Sequence, residues 1–188
     1  MNKLEFQPLT PEHWDDFERL FGPRGACAGC WCMYWKLPRK EFNAGQGEGN
    51  HLAQKEIVAA GRIPGLLAYV DGAPAGWCAV EPRQAYSSLA RSRILAPVDE
   101  TPVWSVTCFF VDRPYRRQGL TIALLRAVVG YVKTQGGKVV EGYPTEPKQA
   151  KAPPVFIYTG TASAFLQAGF VEVARRSETR PIMRCYIH

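Results

Sequence analysis

The hydrophobic pattern changes its period in the second half of the chain, and this change predicts a strand followed directly by a helix. Residues 103–111 are rich in β-branched and aromatic side chains, which is typical of a buried strand. Over residues 120–131 the apolar positions recur at helical spacing, and Gly136 and Gly137 mark the end of that pattern. The chain therefore turns sharply between a buried strand and an amphipathic helix.

The turn between them, Arg116-Arg117-Gln118-Gly119-Leu120-Thr121, has the composition of an anion site. A helix that starts directly after such a turn offers unpaired N–H groups and the positive end of its dipole to a phosphate. Gly119 lets the backbone approach a ligand where a Cβ would block it, and Arg116 and Arg117 add positive charge. No Gly-Lys-Ser/Thr follows, and the three spaced glycines of a dinucleotide site are missing, so neither of those motifs is present.

Shorter patterns predict the other elements. Strands are predicted at residues 4–6, 66–70, 76–80, 138–144, 171–174 and 182–187, with Asp71-Gly72 as a hairpin turn. Helices are predicted at residues 11–21, 50–60 and 162–168, the first two capped by Thr10 and Asn50. Glycine-rich residues 42–50 predict a mobile loop, residues 83–98 a partly helical basic insert with a solvated face, and residues 145–154 a polar loop.

Composition narrows the class of protein. A chain of 188 residues with 46% hydrophobic and 21% charged residues is typical of one globular domain. The net charge of +6 suits an anionic cofactor, and without a Lys/Arg block we expect no nucleic-acid partner. No apolar segment resembles a signal peptide or a membrane span, so we expect a cytoplasmic protein without a membrane partner.

Three of the six cysteines lie close together, at Cys27, Cys30 and Cys32, among large aromatic residues. A zinc site would need a fourth ligand, for which the chain offers His13, His51, Cys78 and Cys185. A second Cys-x-x-Cys pair is missing, and the surroundings do not match a thioredoxin-like redox motif. We expect free thiols packed among aromatic rings and no metal, with zinc kept as the alternative.

The strand, turn and helix together resemble the acetyl-CoA motif of the GNAT superfamily of N-acetyltransferases, Gln/Arg-x-x-Gly-x-Gly/Ala. Arg116 takes the first place and Gly119 the invariant glycine, while Thr121 replaces the usual small residue. The segment 168–170, Ala-Gly-Phe, is similar to the family's Gly-Phe ending. The resemblance covers residues 66–187 well and the first third only in outline.

The resemblance implies an α/β (α+β) fold with a mixed, mostly antiparallel central sheet flanked by helices. A splayed pair of parallel strands would hold the cofactor. The whole chain, 1–188, would form a single domain. Residues 1–65 would supply the acceptor-side helices and the Cys/Trp-rich loop, and residues 66–188 the core with the acetyl-CoA motif.

The resemblance also implies ligand contacts, with acetyl-CoA as cosubstrate. The implied cofactor contacts are Phe109, Phe110, Val111, Arg116, Arg117, Gln118, Gly119, Leu120, Thr121 and Phe165. The implied acceptor contacts are Trp31, Tyr34, Trp35, Ser105 and Thr107. Flat aromatic faces there would suit a cationic or aromatic amine, although the same rings could simply cover the sheet.

Phe165 is the main departure from the family pattern. Many members carry a proton-donating tyrosine four residues before the glycine of Gly-Phe, and Phe165 cannot donate. Tyr143 and Tyr158 are the replacement candidates, and Glu141 is the candidate base, with a structural ion pair as the alternative. If orientation of thioester and amine supplies most of the rate, no strong acid or base is required.

These features predict an enzyme that transfers an acetyl group directly from acetyl-CoA to a primary amine of a small molecule or a protein. A homodimer is compatible with the exposed aromatic residues and the closing strands. Two alternatives stay open. One is a non-catalytic acyl-CoA sensor, suggested by Phe165, and the other is a zinc-organised interaction protein, suggested by the cysteines.

Overall fold

A seven-stranded sheet forms the centre of the computed structural model, which describes residues 3–146 and 157–188. The strands lie in the order β1-β2-β3-β4-β5-β7-β6, and among them only β4 and β5 run parallel. Their bounds are β1 Leu4–Pro8, β2 Gly65–Val70, β3 Ala73–Pro82, β4 Trp104–Val111, β5 Val139–Gly142, β6 Val171–Arg175 and β7 Pro181–Tyr186. This sheet confirms the predicted strands and the predicted fold class.

The parallel pair of strands is splayed, as expected. β4 and β5 are joined only where Trp104–Val106 lies beside Val140–Gly142. β5 then ends, while β4 continues to Val111. On its other side β4 carries a bulge, because Ala79 and Val80 of β3 lie opposite Cys108 and Val106, and no β3 residue lies opposite Thr107. Beyond Val106, the β5 side of β4 therefore pairs with no other strand among the described residues, and we term this side the free edge of β4.

Helices cover both faces of the sheet. They are α1 Trp14–Phe21, α2 Arg39–Ala44, α3 Glu48–Ala59, α4 Ser87–Ala90, α5 Leu120–Thr134 and α6 Ala162–Gln167. Helices α5 and α6 bury their apolar sides against one face, around Leu124 and Val128. Helix α1 packs on the other face, where Phe17 and Trp77 are fully buried. The apolar residues of these helices recur at helical spacing, because this spacing places them on the side that faces the sheet.

The predictions for residues 42–50 were wrong. This stretch is no loop, because α2 ends at Ala44 and α3 already begins at Glu48. Asn50 is not the cap of α3 but lies inside it, and the cap position belongs to Gly47. The Asn50 amide is buried and donates to the carbonyls of Gly29 (3.1 Å) and Phe42 (3.2 Å), which ties three segments together. Glycine content alone does not reveal such a tertiary anchor.

Two further expectations, on a polar loop and on membrane spans, concern residues that the structure describes only in part. Most of the predicted polar loop at 145–154 lies outside them, since they stop at residue 146 and resume at 157. Within the described part of the chain, every helix lacks either the length or the apolar character that is needed to cross a membrane.

Candidate active site

The turn after β4 is built so that its backbone faces outward. The Asp112 carboxylate accepts the N–H of Arg113 at 2.7 Å and starts a short 3-10 turn. The Arg116 Nε donates to the Val111 carbonyl at 2.8 Å, which folds the turn back onto the strand end. Gly119 then adopts the left-handed conformation at φ 79° and becomes the N-cap of α5. A residue with a Cβ is strained in this conformation, so glycine suits the position.

The first turn of α5 is free to bind an anion. Within residues 3–146 and 157–188, the backbone N–H groups of Gly119, Leu120 and Thr121 form no hydrogen bond. A Cβ added to Gly119 would meet no atom within 4 Å, so the space in front of the turn is open. Arg116 and Arg117 are exposed beside it. The predicted cofactor contacts of the turn thus lie together in an open, positively charged cradle that fits a phosphate.

The free edge of β4 is bridged by the chain that precedes α6. The Phe109 N–H donates to the Tyr158 carbonyl at 2.6 Å. The same segment is held from the other side, where the Thr145 N–H donates to the Gly160 carbonyl at 2.9 Å. The predicted cofactor contacts on β4 alternate between faces, since Phe109 packs with the α5 core and Phe110 lies against Phe21 near α1.

The Phe165 ring is completely covered. Its side chain has no exposed surface and packs edge-on against Phe170, with ring centroids 4.9 Å apart. A Cβ on Gly142 would come within 2.1 Å of the ring, so β5 needs glycine there. The structure therefore places this predicted cofactor contact in the core between β5 and α6.

Glu141 is the centre of a buried ionic network. One of its oxygens accepts from Arg83 at 3.1 Å and from the Tyr143 hydroxyl at 2.7 Å, and the other accepts from Arg184 at 2.7 Å. Arg184 also forms two hydrogen bonds to Asp99, at 2.7 and 3.0 Å. Three of the about four acceptor sites of this carboxylate are occupied, and Glu141 is only 1% exposed, so an acceptor amine has little access to it. This geometry favours the structural alternative for Glu141.

Two other site predictions fall in the same network. Arg83 donates to the Tyr143 hydroxyl, which also shares a hydrogen bond of 2.8 Å with Ser105. Burial, and next the Glu141 charge, raise the pKa of Tyr143. Ser105 and Thr107 are buried, at 0% and 2% exposure, so their predicted contact with an acceptor has no open surface. The expectation that the 83–98 insert presents only a solvated face was wrong for Arg83, because its charge pairs with Glu141.

Tyr158, the second predicted proton donor, contacts the free edge of β4 through its backbone carbonyl, which accepts the N–H of Phe109. Tyr158 lies in a turn that precedes α6, which begins at Ala162. Burial raises the pKa of its hydroxyl, and so does the neighbouring Tyr34. The ring centroids of Tyr34 and Tyr158 are 6.0 Å apart. The Tyr158 hydroxyl therefore stays protonated, and the residue lies where β4 and β5 separate.

The predicted aromatic acceptor contacts separate into two groups. Trp31 belongs to the core under α1, stacked on Phe21 at 5.6 Å. Tyr34 and Trp35 instead line an open pocket of about 320 Å³. The described residues that line it are Tyr34, Trp35, Arg39, Ser88, Arg91 and Ser92. The sequence predictions missed the arginines and serines, because they come from two segments far apart in the chain.

The cysteines are all free thiols. Cys32 is buried beneath the sheet, where the Trp77 indole N–H donates to its sulfur at 3.1 Å. Among the residues that the structure describes, no group of three or more His, Cys, Asp or Glu side chains could hold a metal ion. This part of the chain gives no support to the zinc alternative.

Sequence comparison assigns the class of this protein. The family described as "Acetyltransferase (GNAT) family" matches residues 30–156, which is more than half of the chain. The chain therefore belongs to the GNAT acetyltransferase family, a family of acyltransferases. No curated protein matches the sequence at a significant level.

Solved structures share the fold at low sequence identity. A GNAT-family protein from Desulfovibrio desulfuricans is 18% identical with a TM-score of 0.55, over 98% of this chain and 99% of its own. The paiA N-acetyltransferase from Thermoplasma acidophilum, solved with coenzyme A, is 12% identical with a TM-score of 0.54, over 98% and 99%. The yncA protein from Salmonella typhimurium, solved with acetyl-CoA, is 9% identical with a TM-score of 0.54, over 97% and 93%.

Proposed function

We propose that this protein is an acetyl-CoA-dependent N-acetyltransferase that moves the acetyl group directly to a primary amine of a small molecule or a protein. The observation that carries the proposal is the exposed turn at Gly119, with free N–H groups and two arginines at the end of β4. A pyrophosphate is the anion that coenzyme A would present to it. Related structures with coenzyme A or acetyl-CoA support the same ligand for this chain.

The proposed binding roles follow from the placement of the residues. The N–H groups of 119–121 and the side chains of Arg116 and Arg117 bind the pyrophosphate. The free edge of β4, at Phe109–Val111, binds the pantetheine arm. Acetyl-CoA supplies the acetyl group as a thioester. Strand β4 is extended and is held on its other side by β3. Its free edge can therefore orient the acetyl group of the bound cofactor toward an amine.

Tyr158 is the proposed proton donor to the departing sulfur. A tyrosine hydroxyl is protonated at neutral pH, which is the state that a donor needs, and the upward shift of the Tyr158 pKa leaves that state unchanged. Glu141 and Tyr143 are proposed as positioning residues, because their network joins β4, β5 and β7 beside the splay. The amine would attack in its neutral form, and orientation would supply much of the rate.

Calorimetric titration of acetyl-CoA into the purified protein, freed of bound coenzyme A, tests the cofactor site. Gly119→Glu places a carboxylate in the cradle and should weaken binding at least about tenfold. Gly136→Glu is the matched control, since Gly136 has φ 76° and equally open surroundings at the other end of α5. Equal affinity of wild type and Gly119→Glu, or no wild-type binding, would overturn the proposed site.

Turnover decides between the enzyme and a sensor. The covered Phe165, at the place of the usual tyrosine, favours a non-catalytic acyl-CoA sensor as the second candidate. Mass spectrometry should detect acetylated product over a panel of primary amines, and Tyr158→Phe should lower the rate more than the affinity for acetyl-CoA. Tight binding with no product on any amine would favour the sensor.

A further inference from the structure

We infer that the pocket beside Tyr34 and Trp35 binds the acceptor, and that it selects an amine whose molecule also carries a carboxylate or phosphate. The inference rests on the proposed function and adds the chemical class of the acceptor. It starts from the pocket volume of about 320 Å³, which is in the range of small-molecule sites. The aromatic residues predicted a cationic or aromatic amine, and the arginines of this pocket add an anionic group to that prediction.

The pocket is positively charged. Among the residues that the structure describes, its lining contains Arg39 and Arg91 but no carboxylate. Arg180 adds a third positive charge near the Tyr34 and Tyr158 rings, and burial lowers the pKa of its guanidinium. Within residues 3–146 and 157–188, none of these three arginines forms an ion pair with an acidic side chain. Arginines without such a partner are suited to an anionic ligand, which they can bind through two parallel hydrogen bonds.

The Arg39 side chain is held in place by Tyr34. Its guanidinium carbon lies 4.1 Å from the centroid of the Tyr34 ring. It also donates to the hydroxyl of Tyr34. Stacking on an aromatic face leaves other N–H groups of a guanidinium free to meet a ligand. The arginine therefore loses little conformational freedom when it binds an anion.

The two walls of the pocket are joined by hydrogen bonds. The Ser88 N–H donates to the Trp35 carbonyl at 3.1 Å, and the Ser88 hydroxyl donates to the Leu37 carbonyl at 2.9 Å. The adjacent Ser87 hydroxyl donates to the Lys36 carbonyl at 2.8 Å. These bonds fix α4 to the segment that carries the aromatic residues, so the pocket is preformed. A preformed site favours affinity, because less ordering is needed on binding.

The pocket adjoins the proposed reaction centre through Tyr158. Tyr34 packs against Tyr158 at 6.0 Å, and Trp35 lies against the Tyr158 hydroxyl. The Tyr158 carbonyl in turn reaches Phe109 on the free edge of β4. An acceptor with its anion on the arginines can therefore direct its amine toward the thioester end of the slot. An aromatic or flat spacer would lie against the Tyr34 and Trp35 rings, which pack edge-on with centroids 5.2 Å apart.

The test uses two probes that share an aminomethyl group and differ at the opposite end of the ring, which is an anionic carboxylate in 4-(aminomethyl)benzoate and an uncharged amide in 4-(aminomethyl)benzamide. Wild type should acetylate the benzoate with a kcat/KM at least about tenfold higher than the benzamide. Arg39→Gln and Arg91→Gln should each reduce this preference, mainly by raising KM for the benzoate. Arg93→Gln is the matched control, because Arg93 is exposed two residues away and does not line the pocket.

Binding measurements keep this test independent of turnover. Titration of each probe, followed by tryptophan fluorescence with coenzyme A present, should show the same preference for the benzoate and its loss in Arg91→Gln. Acetyl-CoA affinity should be unchanged in both arginine variants. An equal response to both probes overturns the inference, and so does a loss of acetyl-CoA affinity, which would assign the arginines to the cofactor. If wild type does not bind acetyl-CoA at all, the proposed function itself fails.

Discussion

The carbonyl oxygen of Tyr158 accepts the backbone N–H of Phe109 at 2.6 Å, at the part of β4 that β5 has already left. A loop segment thus occupies the strand edge where the proposed pantetheine site lies. An amide N–H makes one strong hydrogen bond at a time. Binding of the pantetheine at Phe109 must therefore displace the Tyr158 carbonyl, and this exchange has measurable consequences.

Saturation with acetyl-CoA should change the backbone amide resonance of Phe109 in a nitrogen-proton correlation spectrum. The hydrogen-bond partner changes, so both the chemical shift and the hydrogen-exchange rate of this amide should change. The amide of Asp71 is the internal control, because it donates to the Lys3 carbonyl at the far edge of the sheet. A Phe109 signal that stays constant at saturation would show that the cofactor does not use this edge.

Restoring the usual tyrosine should not restore a proton donor. In Phe165→Tyr the new hydroxyl would point from a fully buried ring toward Gly142, where a Cβ would already lie 2.6 Å from the ring Cζ. Burying a hydroxyl without a partner costs about 1–3 kcal/mol. We expect chemical denaturation to show a loss of this size and turnover assays to show no gain. A faster and equally stable variant would place the active site at Phe165 instead of Tyr158.

Glu141→Gln should act mainly on stability. The substitution leaves the charges of Arg83 and Arg184 without their buried carboxylate, which costs about 3 kcal/mol of unfolding free energy. Glu172→Gln is the control, since Glu172 pairs with Arg175 on the surface and contributes about 1 kcal/mol or less. Urea unfolding measures both. If Glu141→Gln were fully stable yet inactive, Glu141 would be the catalytic base after all.

Alkaline pH should destabilise the fold through Tyr143. Burial, and then the Glu141 charge, raise its pKa in the folded protein, whereas an unfolded tyrosine ionises at about pH 10. The folded state therefore holds the proton longer. The contribution of Tyr143 to the free energy of unfolding is complete below about pH 10. It is lost as pH rises further, and the free energy of unfolding then falls by up to about 1.4 kcal/mol per pH unit.

Tyr143→Phe removes this linkage and should flatten the decline in unfolding free energy between pH 10 and 11. The variant also loses hydrogen bonds to Arg83, Ser105 and Glu141, so its stability at neutral pH will be lower. The slope, and not the absolute value, is therefore the measurement. Tyr186→Phe, at a position 47% exposed, serves as the control. Identical slopes in wild type and Tyr143→Phe would contradict the assignment.

Contiguous patterns determined much of the fold and the cofactor turn. The strand at β4, the turn at Gly119 and the helix α5 are neighbours in sequence, so their geometry follows from local rules of periodicity, capping and glycine conformation. The hairpin of β2 and β3 is equally local. The order of these elements, together with the resemblance that they carry, was sufficient to predict the sheet and its splayed parallel pair.

Only the tertiary structure decided which distant side chains meet. Arg83 and Arg184 reach Glu141 across 58 and 43 positions of the chain, and no local pattern encodes such a pair. The same holds for the pocket, where Arg91 faces the segment of Tyr34, and for Tyr158, whose carbonyl meets β4. Burial and partner choice depend on how the elements pack, because a buried charge or amide needs a specific partner in space. The sequence therefore determined the scaffold and the anion turn, and packing determined the acceptor pocket and the roles of the buried charges.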